Sequence, residues 1–286
     1  MYKLKPSVTV SLFGINKFEN GCYEIIKKRD NFITSLNEAL KFDVKNVELD
    51  TAAPWNKEEE ILNFPFVKEA CKIANDLGVT VSSAHLPFSV SWWDFASPNE
   101  TNRVDAVNSF KRAVDSFGEF LPPILVVHPS AKPKEGEERQ SRLNSLTKSM
   151  QEICNYTPSY ICIENMVNDG LLNKISEAYD LLNAVPKLFM TIDVNHSFLQ
   201  PPEEYILQIG SKVKNLHISD NDGLKEQHWL PKKGVINFQK VLSALEKVGY
   251  NGTFNYELSL VKNGITYKDI KDNFEQLFNE YNKKTR

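Results

Sequence analysis

The strongest constraint on this chain is an alternation that runs through its whole length. Eight short runs rich in β-branched residues, Val8–Phe13, Asn46–Asp50, Thr80–His85, Ile124–His128, Tyr160–Glu164, Leu188–Asp193, Val213–Ser219 and Thr253–Leu258, are separated by longer amphipathic stretches. Phe238, Val241, Leu242, Leu245 and Val248 recur at a spacing that makes one apolar helical face, and Val104, Val107, Phe110, Val114 and Phe117 do the same. Pro201-Pro202 marks one helix start, and Asn237 is placed as an N-cap. Strands joined by crossover-length helices predict a parallel sheet buried on both faces. Eight such units favour closure into a (β/α)8 barrel over an open doubly wound sheet, and no Gly-rich phosphate fingerprint follows the first strand. The length of 286 residues suits a fold that typically takes about 250. No linker or break in composition divides the chain, so residues 1–286 are expected to form a single (β/α)8 barrel domain.

Bulk properties narrow the partners. With 41% hydrophobic and 25% charged residues, the composition is that of a soluble globular protein. A formal net charge of −3 gives no footprint for nucleic acid or an anionic membrane. No apolar run approaches the ~20 residues that span a bilayer, and the chain starts without a signal-peptide pattern. Cys22, Cys71, Cys154 and Cys162 form no CxxC pair and are expected to be reduced thiols in a cytoplasmic protein.

The informative step is where the rare polar residues fall. His85 and His128 end the third and fourth strands, His217 lies near the end of the seventh, His196 follows the sixth by a turn, and His228 sits in the loop after the seventh. Glu164, Asp193 and Glu257 end the fifth, sixth and eighth strands. In a barrel these ends converge on one mouth. Acids and imidazoles crowded there would repel or desolvate one another, and a cation resolves that conflict. Glu164, Asp193, His217 and Glu257 together therefore read as a divalent metal site. His85 and His128 stay open between ligand, substrate contact and structural residue. Three carboxylates and one imidazole favour Mn²⁺ or Mg²⁺, with Co²⁺ compatible; recruiting His85, His128 and His228 for further ions would favour Zn²⁺. Trp55, Trp92, Trp93 and Trp229 fall in loops on the same face, either as a lid over a carbohydrate or as small loop cores.

At these positions the sequence resembles the xylose-isomerase-like barrels, which include sugar isomerases and epimerases and the endonuclease IV type of abasic-site nuclease. The resemblance rests on Ser83-Ala84-His85, Val127-His128-Pro129, Ile163-Glu164-Asn165, Asp193-Val194-Asn195-His196, the run Leu216–Gly223, and Gly249-Tyr250-Asn251-Gly252 leading to Tyr256-Glu257. In the isomerase branch it implies a metal held by Glu164, Asp193, His217 and Glu257. There Glu164 and Glu257 double as the acid/base pair, and His196 and His128 orient substrate hydroxyls. In the nuclease branch it implies a larger set that adds His85, His128, His196, Glu226 and His228. Glu226 stands where that branch carries an aspartate, one methylene shorter.

Two departures qualify the resemblance. The ketohexose 3-epimerases carry an arginine shortly after the seventh-strand histidine, where this chain offers only Lys225. The loop after His228 usually reads Gly-x-Gly, but here it is Lys232-Lys233-Gly234, which either adds positive charge beside the mouth or, the favoured reading, is a solvated loop. The reading that follows is a metal-dependent isomerase or epimerase acting on a small-molecule sugar or sugar phosphate through an enediolate. It involves no membrane and disfavours nucleic acid, and it is compatible with a homo-oligomer. The alternatives are a metal-dependent phosphodiesterase acting on abasic DNA and a barrel that binds a sugar acid without turnover. Arginines are scarce near the expected mouth, which lowers the nuclease alternative.

Overall fold

A computed structural model describes residues 1–12, 15–19, 22–25, 29–51, 57–88, 90–130, 138–167 and 170–284. Its strands are β1 (Lys5–Ser11), β2 (Ile15–Glu19), β3 (Cys22–Ile25), β4 (Asn46–Asp50), β5 (Thr80–His85), β6 (Ile124–Val127), β7 (Tyr160–Glu164), β8 (Leu188–Asp193), β9 (Val213–His217) and β10 (Thr253–Tyr256). The helices are α1 (Arg29–Lys41), α2 (Lys57–Asp76), α3 (Glu100–Phe117), α4 (Arg139–Ile153), α5 (Ile175–Ala184), α6 (Pro202–Ile209), α7 (Phe238–Lys247), α8 (Leu260–Asn263) and α9 (Tyr267–Lys284). Eight strands pair in parallel in the order β10-β1-β4-β5-β6-β7-β8-β9. The ring is bridged between β9 and β10 at Ile218: its N–H donates to the Asn255 carbonyl at 2.8 Å, and the Glu257 N–H donates to the Ile218 carbonyl at 3.2 Å. This is the (β/α)8 barrel that the alternation predicts. β2 and β3 form an antiparallel hairpin after β1 that the sequence pattern did not announce.

Local chemistry sets the helix ends. The Asn237 side chain accepts the Lys240 N–H at 3.2 Å, and Pro202 opens α6. Asn99 caps α3 in the same way, and Gly118 at φ +54° ends it in a conformation that favours glycine. The expected apolar faces are buried, except that Val248 is only partly buried and Val104 of α3 is 39% exposed. Cys71, Cys154 and Cys162 are free and buried, while the side chain of Cys22 lies outside the described set.

Side chains alternate across each strand, and here the two faces differ in kind. Val8 and Val10, Val47 and Leu49, Ile161 and Ile163, and Met190 and Ile192 belong to the buried cluster that packs the helices. Burying each such side chain contributes roughly 1.5–3 kcal/mol. The intervening residues Ser7, Thr9, Glu48, Ser83, Thr191, Asn215 and Asn255 are polar and line the barrel interior, all but Thr9 fully buried. The cohesive core is therefore the layer between sheet and helices, and the interior is a polar column that leads up to the strand ends. Among the described residues no helix is long and apolar enough to cross a membrane.

Candidate metal centre

The parallel strands carry the anticipated residues to one rim. His85, Glu164, Asp193 and His217 are the last residues of β5, β7, β8 and β9; His128 follows β6 directly, and Glu257 follows β10. Strand register sets Asp193 beside His217. Glu164 lies at the centre of the group. Its Oε2 is 3.3 Å from His85 Nε2, from His128 Nε2 and from His217 Nδ1, and His217 Nδ1 is also 3.3 Å from Glu257 Oε2. All are buried except Glu257, whose side chain is 23% exposed at the open side.

One donor atom each from Glu164, Asp193, His217 and Glu257 lies within 4.8 Å of the others, a set that could hold a cation. The pattern of unmet hydrogen bonds fits a cation well. Glu164 Oε2, Asp193 Oδ2 and His217 Nδ1 are buried with no hydrogen-bond partner, each on a residue of that set. Buried polar atoms normally find partners, and three orphaned donor atoms of ligand type around one point are what a divalent ion would satisfy. Burial pushes the Asp193 carboxyl up to about 7, with Glu257 and Glu164 adding to the rise against His196 and His217. Burial also opposes ionisation of Glu164, yet His217, His128 and His196 outweigh it and hold this carboxyl well below the usual range. Positive charge is thus in demand at this point. His85, His128 and Glu164 form a second set within the same spacing, and His85, His217 and Glu257 a third.

Secondary contacts orient the ring. His85 Nδ1 bonds the Leu86 carbonyl at 2.9 Å, turning Nε2 toward Glu164. His196 Nδ1 bonds the Asn165 carbonyl at 2.8 Å, leaving Nε2 3.2 Å from Asp193 and 3.3 Å from Glu226. Phe88 stacks on His128 with centroids 4.3 Å apart and meets His85 edge-on at 4.9 Å. Glu226 pairs with His196 and with His228, whose Nδ1 bonds the Glu257 carbonyl at 3.1 Å. The His228 backbone is left-handed (φ +51°), a conformation that costs energy for a residue with a side chain. Its loop is tied by Asp220, whose carboxylate accepts from the N–H groups of Asn221, Gly234 and Ile236 at 2.9–3.1 Å. A Cβ at Gly234 would stand 1.9 Å from the Asn221 carbonyl oxygen, so that position requires glycine.

Some expectations change. Lys232 takes a left-handed backbone (φ +74°), and its ammonium pairs with Glu280 of α9 at 2.7 Å instead of adding charge to the mouth. Trp93 is buried and meets Phe95 edge-on at 5.9 Å, so it forms loop core and not a lid. Trp92 is partly buried against the same core, Trp229 pairs its backbone with Asp220, and Trp55 lies outside the described residues. Sequence reasoning missed Glu48, which is fully buried in the interior with Oε1 2.8 Å from His217 Nε2. The signal was present in Asn46-Val47-Glu48-Leu49-Asp50, where a period of two puts Glu48 on the same face as the strand-end ligands.

A family model for xylose isomerase-like TIM barrels matches residues 24–276. The chain belongs to that family. Among relatives of this xylose isomerase-like barrel, an uncharacterized protein of Methanocaldococcus jannaschii is 30% identical over 68% of this chain and 70% of its own length. The fructoselysine 3-epimerase of Escherichia coli O157:H7 is 28% identical over 40% of this chain, and the match spans 44% of that enzyme. A probable endonuclease 4 of the Aster yellows witches'-broom phytoplasma is 24% identical over 79% and 84% of the two chains. The crystal structure of a D-tagatose 3-epimerase-like protein superposes with a TM-score of 0.76 at 21% identity, covering 98% of this chain and 99% of that one.

Proposed function

We propose that this chain, as one barrel domain, is a divalent-metal-dependent isomerase or epimerase of a keto sugar or its phosphate, working by proton transfer through an enediolate. The observation that carries the reading is the placement of Glu164 and Glu257. They stand on β7 and β10 with two strands between them, each with Oε2 3.3 Å from the Nδ1 of His217. Two carboxylates flanking one centre can take a proton from one side of a carbon and return it on the other. The ion, held by Glu164, Asp193, His217 and Glu257, would supply the Lewis acidity that makes such a carbon-bound proton removable. Glu164 is held ionised by its imidazole neighbours and suits the accepting role. His128, with Nε2 on Glu164 and an unpartnered Nδ1, and His196, on Asp193 and Glu226, are available to orient substrate hydroxyls. The relative named fructoselysine 3-epimerase supports a keto sugar as substrate. Mn²⁺, Mg²⁺ or Co²⁺ suits the three-carboxylate, one-imidazole set.

The relative named as an endonuclease supports the second reading, a phosphodiesterase acting on abasic DNA. Two observations weigh against it. Among the described residues the clusters spaced to hold an ion do not include His196, Glu226 or His228. Three described arginines are held in ion pairs: Arg139 with Glu177, besides Asn173 and the Gly170 carbonyl, Arg103 with Glu100 and Glu152, and Arg142 with Asp94; Arg112 bonds the Ser109 hydroxyl. Elemental analysis, a keto-sugar panel and an abasic duplex together decide between the two. One tightly bound ion with sugar turnover and no nicking is expected; two or three zinc ions with nicking would overturn the proposal.

A further inference from the structure

Among the described residues Glu48 is the one carboxylate in the interior column below the strand ends, and the centre described above does not use it as a ligand. Glu48 is fully buried, where an ionised carboxylate is costly unless its oxygens are matched by donors. Four hydrogen bonds match them. Thr9 Oγ1 and Asn255 Nδ2 donate to Oε1, each at 3.2 Å; Ser83 Oγ and Asn215 Nδ2 donate to Oε2 at 2.8 and 2.9 Å. These donors come from four strands, so the carboxylate is fixed from every side. Its remaining neighbour is His217 Nε2, 2.8 Å from Oε1, a close charge contact that lacks the alignment of a hydrogen bond. The opposite nitrogen of that ring, Nδ1, is the atom that meets Glu164 and Glu257. An ionised carboxylate accepts and cannot donate, so only a protonated Nε2 is compatible with this contact, and the lone pair of a neutral ring then lies on Nδ1.

We propose that Glu48 is the positioning residue of the centre, holding His217 from below as the Nε2–H tautomer whose Nδ1 faces Glu164, Asp193 and Glu257. The inference rests on the metal-site reading above. Thr9, Ser83, Asn215 and Asn255 share the task of giving that carboxylate donors inside the barrel, so loss of one of them leaves its position to the other three. Glu48 itself is excluded as a ligand, since its oxygens are taken by donors and it lies behind the imidazole as seen from Glu164 and Glu257.

The test is Mn²⁺ binding to metal-free protein by titration calorimetry, with circular dichroism and a melting curve for each variant. Loss of such an outer carboxylate typically weakens metal binding about 10- to 100-fold, and that loss is expected of Glu48→Gln. Ser83→Ala removes a hydrogen bond to the same carboxylate on the oxygen that does not meet His217. It is expected to lower the melting temperature yet leave the Mn²⁺ Kd within about twofold, as a structural role alone would. Glu48→Asp keeps the charge but shortens its reach; it should weaken Mn²⁺ in the same direction and takes the place of the Gln variant if that does not fold. A folded Glu48 variant with a wild-type Kd, or Ser83→Ala weakened as much as Glu48→Gln, would overturn the proposal while the metal reading stands. Wild-type protein that takes up no Mn²⁺, Co²⁺, Mg²⁺ or Zn²⁺ would overturn both.

Discussion

Asn165 and Asp193 are joined by a reciprocal pair of hydrogen bonds across neighbouring strand ends. The Asn165 amide donates to the Asp193 carbonyl at 2.9 Å, and its oxygen accepts the Asp193 N–H at 2.8 Å. The Asn165 carbonyl also receives His196 Nδ1. One buried residue therefore orients two groups at the barrel rim, a proposed ligand through its side-chain amide and a neighbouring imidazole through its backbone carbonyl. In Asn165→Ala, the backbone N–H and carbonyl of Asp193 would lose these buried partners, which costs about 1–3 kcal/mol. Urea unfolding should show that loss, and the Mn²⁺ affinity should fall with it. Unchanged stability would mean that water or a shifted backbone replaces the amide without penalty.

Glu164→Gln and Glu257→Gln are each expected to remove turnover while the fold stays intact. Loss of a general acid or base costs about 10² to 10⁴ in rate, and lost metal adds to it. Steady-state kinetics on the sugar found by the panel, with circular dichroism as the control, provide the measurement. Wild-type activity in either variant would remove that residue from the proton-transfer pair.

Chelation should separate the site from the scaffold. EDTA is expected to abolish activity, and Mn²⁺ or Co²⁺ to restore it, with little change in far-ultraviolet dichroism. The apolar layer between sheet and helices holds the barrel together without the ion, unlike a zinc finger, which unfolds on metal removal. Full activity in protein shown by elemental analysis to be metal-free would rule the mechanism out.

Glu48 predicts an acid-sensitive stability. Burial pushes its carboxyl up, but the charge of His217 and the hydrogen bonds around it prevail and bring it from 4.5 down to about 2. A depressed carboxyl contributes its full stabilisation above the ordinary value and loses it as pH falls toward the depressed one. The advantage of metal-free wild type over Glu48→Gln in urea midpoint should therefore be constant near neutrality and shrink between about pH 4.5 and about pH 2. A constant difference down to the lower limit would show that Glu48 is not ionised in the folded protein.

Gly234→Ala would force the loop that carries Glu226 and His228 away from Asn221, because the new Cβ meets backbone and the Asp220 carboxylate (2.6 Å). Activity is expected to fall by an order of magnitude or more, since small displacements at a site carry large rate costs of about 10². The barrel should still fold, and a crystal structure of the variant would show the displaced loop.

The barrel and its rim were legible in the sequence because period-two strands and period-3.6 helices leave different apolar patterns. Asn46–Asp50, Thr80–His85, Tyr160–Glu164 and Leu188–Asp193 could be bounded from the chain alone for that reason. The start of β1 could not: Pro6 lacks an amide hydrogen and argues against a strand, yet it pairs with Phe254 and its carbonyl accepts Asn46 Nδ2. β9 ends at His217, two residues short of expectation, since beyond it the sheet is joined only by the single bridge at Ile218. The role of Glu48 was not legible in the sequence because a charge in mid-strand gains its meaning only from Asn215 and Asn255, far away in the chain. The direction of Lys232 depends on its left-handed backbone, which its lysine side chain does not announce.

The separation of an apolar shell from a polar interior has a bearing on how such a molecule can change over evolutionary time. Substitutions at Thr9, Ser83, Asn215 or Asn255 alter hydrogen bonds but leave the side chains that hold helices to sheet untouched. Substrate preference can drift through the interior and the loops while the shell preserves foldability, so descendants of one ancestor can diverge in chemistry without first acquiring a new scaffold.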